Sequence, residues 1–287
     1  MLPVLLDLKF IKIYTFGVFL VLAFFWALFL LWRNVRLTSH KEEDIFDVTL
    51  ISLIGAFIIG RAVYVTAHFS DFGWDFAKIL FVNGYPGISF FGMLSGGILF
   101  FTILLQMRKI KIIETLDYVV GPLLLALAFG KLGSFFAGVE VGTKTTFILA
   151  LRYVNFDGMR HLTPLYESII FFLGAYLVQI FLYKIRREHL KKGFAFFFFC
   201  WYASIVLFFL DPLKEGTVKI GNINLYMVLS GVVLLTTSIY IVYYYRSSII
   251  KSFPLIKIFS NKNGKSSNKT ISNTAGKKTP ERKDKDS

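Results

Sequence analysis

The sequence predicts an all-α polytopic membrane protein with seven transmembrane helices. The chain has 287 residues, of which 55% are hydrophobic and 18% aromatic. Its apolar residues lie in runs close to or above the roughly 20 residues that cross a bilayer core. Backbone groups in lipid must bond to one another, and such continuous runs favour helices over the alternating pattern of a membrane barrel.

The first predicted span covers residues 10–32. It is too long and too aromatic for the core of a signal peptide, and no small-residue cleavage site precedes Arg33, so we expect it to be retained. Hydropathy places six further spans. They are residues 48–69, 88–107, 117–137, 164–183, 194–211 and 224–245.

Basic residues follow the first, third and fifth spans and predict the topology. They are Arg33, Arg36 and Lys41, then Arg108, Lys109 and Lys111, then Lys184, Arg186, Arg187, Lys191 and Lys192. The positive-inside rule puts these connections and the segment after Arg246 in the cytoplasm, and therefore the N-terminus outside and the C-terminus inside. The net charge of +14 thus reports topology and does not indicate a nucleic-acid partner.

Composition divides the chain into a transmembrane domain, residues 1–246, and a basic cytoplasmic tail, residues 247–287. Residues 260–287 have almost no apolar side chains and should be disordered. The tail could attract anionic headgroups or simply aid solubility, and both readings stay open. The single cysteine, Cys200, lies in an apolar run, so a disulfide or a cysteine-based zinc site is excluded.

Four ionisable residues lie in or beside predicted spans: Arg61, Lys131, Glu140 and Asp211. A charge at membrane depth is costly and normally faces a cavity or a partner, although some of these side chains could extend to the interface instead. Metal-ligand clusters, a Ser-His-Asp spacing, nucleotide-binding loops and dinucleotide fingerprints are all missing from the sequence.

Glycines concentrate in two places. Gly130, Gly133, Gly138 and Gly142 surround Lys131 and Glu140 at the end of the fourth span, and Gly92, Gly96 and Gly97 lie in the third span. They permit either close helix packing or a close approach of backbone to a ligand. Beside Lys131, exposed backbone N–H groups would suit a phosphate, which phospholipid headgroups of the outer leaflet supply.

The segment RHLTPLYE begins at Arg160 and leads into the fifth span. Interfacial anchoring explains Arg160 and Tyr166, but His161 and Glu167 fit it less well. A neutral histidine exchanges protons near pH 7, and a membrane-edge glutamate needs a partner.

Residues 130–142, GKLGSFFAGVEVG, resemble the G-R-x-G-N-F-x-N-x-E-x-x-G signature of the prolipoprotein diacylglyceryl transferases. The matching residues are Gly130, Gly133, Phe135, Glu140 and Gly142. Lys131 takes the place of the arginine, and Ser134 and Ala137 take those of the two asparagines.

The resemblance is patchwise but covers about residues 10–245. His161 to Glu167 is similar to the family's H-P-x-Q-L-Y-E, residues 15–17 to its W-Y-G, and Arg61 with Tyr64 to its G-x-R-x-x-Y.

Two departures concern the family's polar residues. The family's S-F-H-G-G reads SFFGM at residues 89–93, so Phe91 replaces a histidine. Its G-R-F-x-x-E-x-x-R reads VLFFLDPLK at residues 206–214, so Leu207 replaces an arginine, while Asp211 and Lys214 replace glutamate and arginine.

The resemblance implies a transferase of the bacterial cytoplasmic membrane that moves a diacylglyceryl group from phosphatidylglycerol to the lipobox cysteine of lipoprotein precursors. It implies no metal or other cofactor, and Glu140 with His161 for acid–base help. The residues expected to bind lipid are Lys131, Arg61, Gly133, Ser134, Tyr64, Gly92, Arg160, Tyr166, Glu167, Asp211 and Lys214.

Two alternatives remain open. A non-catalytic member of the family would bind phospholipid or lipoprotein precursors without transfer. An unrelated seven-span transporter is disfavoured, because corresponding broken helices that would indicate an inverted repeat are missing.

Overall fold

A computed structural model describes residues 3–8, 11–38, 41–81, 84–153, 156–216, 219–220 and 223–252. Within them, seven helices are long and apolar enough to cross a membrane, which confirms the predicted fold class. They are α1 (Thr15–Val35), α2 (Glu42–Ala67), α5 (Phe90–Met107), α6 (Ile112–Ala137), α7 (Thr163–Arg186), α8 (Phe194–Leu210) and α9 (Leu225–Ser252). Two short helices, α3 (Phe69–Phe72) and α4 (Phe76–Leu80), connect α2 to α5, and a 3-10 turn, Asp211–Leu213, follows α8.

Three antiparallel hairpins among the described residues were not predicted. They are β1 (Val4–Leu8) with β2 (Ile11–Tyr14), β3 (Ala150–Arg152) with β4 (Met159–His161), and β5 (Lys219–Ile220) with β6 (Ile223–Asn224). The start of the first span at residue 10 was therefore wrong, because β2 precedes α1. The IKIY of β2 alternates apolar and polar residues, a strand pattern that a hydropathy window averages away.

Helix α6 lies at the centre of the core. One cluster of buried side chains joins it to α7 and α8 through Leu124, Phe171 and Phe199. A second joins it to α1, α2 and α5 and includes Leu31 and Leu105. Because side chains on both faces of α6 pack against other helices, these contacts fix the position of α6 in the bundle.

Asp117, near the start of α6, fixes the beginning of α8. Its buried carboxylate accepts hydrogen bonds from the backbone N–H groups of Gly193 and Phe196, the latter at 3.0 Å. These N–H groups have no partner within the helix, so the carboxylate satisfies them and interacts favourably with the helix dipole.

Glycines allow α2 and α5 to pack closely. A Cβ atom on Gly92 would lie 2.8 Å from Cβ of Val63, and one on Gly96 would lie 2.5 Å from Cβ of Ile59. Small residues at such crossings are typical of membrane helices. Close packing of α2 against α5 therefore explains why these two residues are glycines.

The basic connections meet at one end of the bundle. Arg108, after α5, pairs with Asp44 at 2.6 Å and with Asp47 at 3.1 Å, both in the first turns of α2. This proximity agrees with the prediction that the first and third connections share one side of the membrane. Which side this end faces stays a prediction.

The chain divides into two compact units, residues 1–235 and 236–287. The described part of the second unit continues α9 to Ser252, so the predicted tail, residues 247–287, begins inside a helix. Residues 253–287 of that tail lie outside the described residues.

We expect Gly96→Leu to destabilise the protein by about 1–3 kcal/mol, because the added atoms overlap Ile59 across the tight crossing of α2 and α5. Gly130→Ala is the matched control, since a Cβ there would meet nothing within 4 Å. Unfolding in detergent, followed by circular dichroism, measures both. Equal stability of the two variants would contradict this account of the crossing.

Candidate functional site

Five charged residues meet at the other end of the bundle, and we call them the charge cluster. They are Lys131 near the end of α6, Glu140 after α6, Glu167 in α7, and Asp211 and Lys214 after α8. Residues far apart in the sequence are thereby brought into direct ionic contact.

Glu167 connects the two lysines. The Nζ atom of Lys131 lies 2.8 Å from one carboxylate oxygen of Glu167, and that of Lys214 lies 2.7 Å from the other. Lys131 also contacts both oxygens of Glu140 at 2.7 Å. The Nζ atom of Lys214 is 3.4 Å from Asp211 and 3.8 Å from Glu140.

The end of α6 places Glu140 against Lys131. Gly138 follows the helix with φ 70°, the left-handed conformation that glycine adopts without strain. The N–H group of Val139 donates to the carbonyl of Ser134 at 3.0 Å, so the chain reverses there. Counted without a gap, the family's acidic position falls on Val139, one residue before Glu140. The carboxylate that contacts Lys131 is nevertheless that of Glu140.

Burial differs within the cluster. The side chain of Glu167 is 0% exposed and that of Asp211 is 4% exposed, whereas Glu140 is 32% exposed. Buried charges require compensation by partners, and the two lysines supply part of it here. Burial raises the pKa of Glu140, but Lys131 and Lys214 outweigh it and hold that pKa below its usual value. Glu140 is therefore the ionised carboxylate of the cluster that a ligand could best reach.

Backbone pairing fixes the segments around the cluster. The N–H group of Thr143 donates to the carbonyl of Leu213 at 2.8 Å, and that of Glu215 donates to Val141 at 2.9 Å. Arg160, in β4, donates to the carbonyl of Gly142 at 3.1 Å and forms an ion pair with Glu215. The segments that carry Glu140 and Lys214 are thus held side by side.

His161 is adjacent to these segments but forms no hydrogen bond or ion pair with the cluster in the described part of the chain. Its backbone N–H group donates to Thr143 at 3.1 Å, and its buried Nδ1 has no hydrogen-bond partner among the described residues. Its ring lies 6.2 Å from that of Phe147 and 6.5 Å from that of Tyr166, measured between centroids. The hydroxyl of Tyr166 donates to the carbonyl of Leu149. An acid–base role of His161 stays a prediction.

Arg61 is engaged elsewhere. It donates to the carbonyls of Lys78 at 2.8 Å, Ile79 at 2.9 Å and Gly87 at 2.7 Å, all in the connection between α2 and α5. Its guanidinium also lies over the Phe72 ring, 5.0 Å from the centroid. These bonds use three of its five N–H groups, so its main visible contribution is to hold this connection.

The other predicted lipid-binding residues have structural contacts of their own. Tyr64 stacks on His68 with centroids 4.3 Å apart. The N–H group of Gly92 donates to Ser89 at the start of α5, and a Cβ on Gly133 would lie 2.5 Å from Phe19 of α1. Buried Ser134 supplies a carbonyl to the end of α6. Lipid binding by these residues stays a prediction.

Aromatic contacts occupy the position where the family's motif has histidine. Phe91 stacks on Tyr226 with centroids 4.9 Å apart. The adjacent Phe90 lies under Lys131, with Nζ 5.7 Å from the ring centroid. Sequence reasoning missed Phe90 and also Glu215, although the adjacency of Glu215 to Lys214 was a signal that could have identified it.

The comparisons identify relatives over most of the chain. The profile of the prolipoprotein diacylglyceryl transferase family matches residues 3–244. Among proteins named phosphatidylglycerol–prolipoprotein diacylglyceryl transferase, that of Clostridium novyi is 25% identical over 248 residues, which cover 84% of this chain and 95% of the relative. That of Clostridium tetani is 28% identical over 199 residues, with coverages of 68% and 78%. That of Clostridium botulinum strain Hall is 26% identical over 251 residues, with coverages of 84% and 96%.

Lys131→Met should lower the free energy of unfolding by about 3–5 kcal/mol, because it leaves Glu140 and Glu167 with too little compensating charge. Lys12→Met is the control, since the ion pair of Lys12 with Asp7 is long, 3.9 Å, and exposed. Unfolding in detergent compares the two variants. A loss for Lys131→Met no greater than for Lys12→Met would contradict a structural role of the cluster.

Proposed function

Since the chain belongs to the prolipoprotein diacylglyceryl transferase family, we propose that it transfers a diacylglyceryl group from phosphatidylglycerol to the thiol of a lipobox cysteine in lipoprotein precursors. The observation that carries this proposal is the buried charge cluster, since four of its members, Lys131, Glu167, Asp211 and Lys214, stand at polar positions of the family's motifs.

The reaction needs a nucleophile and a stabilised leaving group. The cysteine thiol loses its proton, and its sulfur attacks the glycerol carbon that bears the phosphate. A carbon–sulfur bond forms, the carbon–oxygen bond to phosphate breaks, and the oxygen keeps the electron pair. Glycerol phosphate leaves, and its new negative charge requires cations nearby.

The cluster can supply both kinds of group. Lys131 and Lys214 would hold the phosphate and stabilise the leaving oxygen, as point charges without the bidentate geometry of arginine. Glu140, the most exposed of the carboxylates, would accept the thiol proton. His161, on the adjacent strand β4, is a second candidate for proton transfer.

The family and the number of spans also bear on where the protein lies. Seven spans and the family make it a multi-pass membrane protein. We propose the bacterial cytoplasmic membrane, with the cluster near the outer leaflet, where phosphatidylglycerol and the precursor would reach it from the bilayer. Neither a metal, another cofactor nor a nucleic acid is part of this proposal.

A second candidate function is binding of phospholipid or lipoprotein precursors without transfer. The observation that favours it is the pair of apolar replacements, Phe91 stacked on Tyr226 and Leu207 buried in α8. A histidine and an arginine of the family's motifs are missing at these positions.

The purified protein, incubated with phosphatidylglycerol and a lipobox peptide, should give a peptide bearing a thioether-linked diacylglyceryl group, detected by mass spectrometry. Glu140→Gln should slow the transfer about 100-fold or more, because the proposed base is lost. Glu114→Gln is the matched control, since Glu114 pairs with Lys192 at 2.9 Å at the other end of α6.

A peptide with serine in place of cysteine should remain unmodified. Phosphatidylglycerol binding without adduct, in an assay where the Clostridium novyi relative gives product, would favour the non-catalytic function. Full activity of Glu140→Gln would remove Glu140 from the role of base.

A further inference from the structure

The charge cluster is not electrically balanced. Two lysines, Lys131 and Lys214, face three carboxylates, and the cluster carries a net charge of −1 when all five groups are ionised. The nearby arginine, Arg160, is already paired with Glu215. An excess charge buried in a membrane protein is costly, and a group in such a site usually takes up a proton instead.

Asp211 is the least compensated of the three carboxylates. Its side chain is 4% exposed, and its nearest described cation is Lys214 at 3.4 Å. Its Oδ2 atom is buried without a hydrogen-bond partner among the described residues. Glu140 and Glu167, in contrast, each have an ammonium group within 2.7 Å.

The position at which the family's motif has a further positive charge lies one turn before Asp211. The N–H group of Asp211 donates to the carbonyl of Leu207, so these two residues follow each other on one face of α8. Leu207 is 5% exposed and stands where the family's motif has an arginine. A cation in that place would compensate Asp211 and bring the cluster to neutrality.

We infer that Asp211, the least compensated of the three carboxyls, holds a proton when no lipid is bound, and that loss of this proton closes the site to an anionic phospholipid. The protonated cluster is neutral and its lysines can exchange a carboxylate for a phosphate. The deprotonated cluster is negative and repels the headgroup. Lowering the pH therefore strengthens binding, and raising the pH weakens it.

The groups that face the carboxyls come from every adjacent element. They are Lys131 from α6, Glu140 from the segment after it, Glu167 from α7, and Asp211 and Lys214 after α8. On the neighbouring segments, Tyr153 packs with Val141 and Leu162, and His161 pairs with Thr143 through its backbone N–H group. Burial raises the pKa of Tyr153 to about 12, so it stays neutral. Because histidine in general exchanges protons near neutral pH, a variant of His161 serves as a control.

The test uses the full chain in nanodiscs of phosphatidylcholine and has two readouts. Infrared spectroscopy detects a protonated carboxyl group directly and needs no lipid ligand. Binding of phosphatidylglycerol, measured from about pH 5 to about pH 8, should weaken up to about tenfold per pH unit once the proton is lost.

Leu207→Arg and Asp211→Asn each remove the excess negative charge. Both should lose the infrared band of the protonated carboxyl and keep their lipid affinity to higher pH than the natural chain. If the buried arginine prevents folding, Asp211→Asn still gives the answer. Leu207→Met leaves the cluster charge unchanged and should behave like the natural chain. His161→Gln should keep the infrared band and the pH dependence of lipid binding, whatever its affinity for lipid.

The identification of the ligand as phosphatidylglycerol rests on the proposed function, whereas the protonation of the cluster does not. The proposed function and the inference can therefore fail separately. An infrared band without lipid binding at any pH would contradict the proposed function alone. A natural chain with no band and pH-independent binding would overturn the inference. So would a band that persists in both charge-changing variants, or a pH dependence that disappears in His161→Gln.

Discussion

The bridge from Lys131 through Glu167 to Lys214 is the interaction on which the arrangement of this end of the bundle depends. It joins α6, α7 and the segment after α8 through contacts of 2.7 and 2.8 Å around a carboxylate with no exposed surface. Each of these charges would be prohibitively costly alone in a membrane, and each is tolerated because the others are present. The backbone pairing of residues 141–145 with 213–215 and with β4 holds the same segments from the outside.

Hydropathy was sufficient to predict the seven spans, because a bilayer leaves a chain few alternatives to a continuous helix. It could not predict the three hairpins, which are too short to produce a signal of their own beside long apolar runs. It also could not show that α9 continues past the predicted domain boundary, because the polar character of the tail suggested an end to helical structure.

The charge cluster was predictable as a set of residues but not as a geometry. Charge at membrane depth identified Lys131, Glu140 and Asp211, and the motifs added Glu167 and Lys214, all of which the structure brings together. The same rule identified Arg61, whose partners are carbonyl groups of a connecting loop. Sequence alone cannot distinguish these cases, since a buried cation is satisfied equally by carboxylates and by backbone oxygens.

The carboxylate of Asp117, which belongs to α6, fixes the position at which α8 begins. At the other end, α8 leads directly into Asp211 and Lys214, and Lys214 forms ion pairs with Glu167 of α7 and with Glu140 after α6. Helix α8 is thus held at both ends by electrostatic contacts, and it cannot move along its axis without breaking contacts at both ends. The 17 residues of α8 therefore set the spacing between the Asp117 carboxylate and the charge cluster.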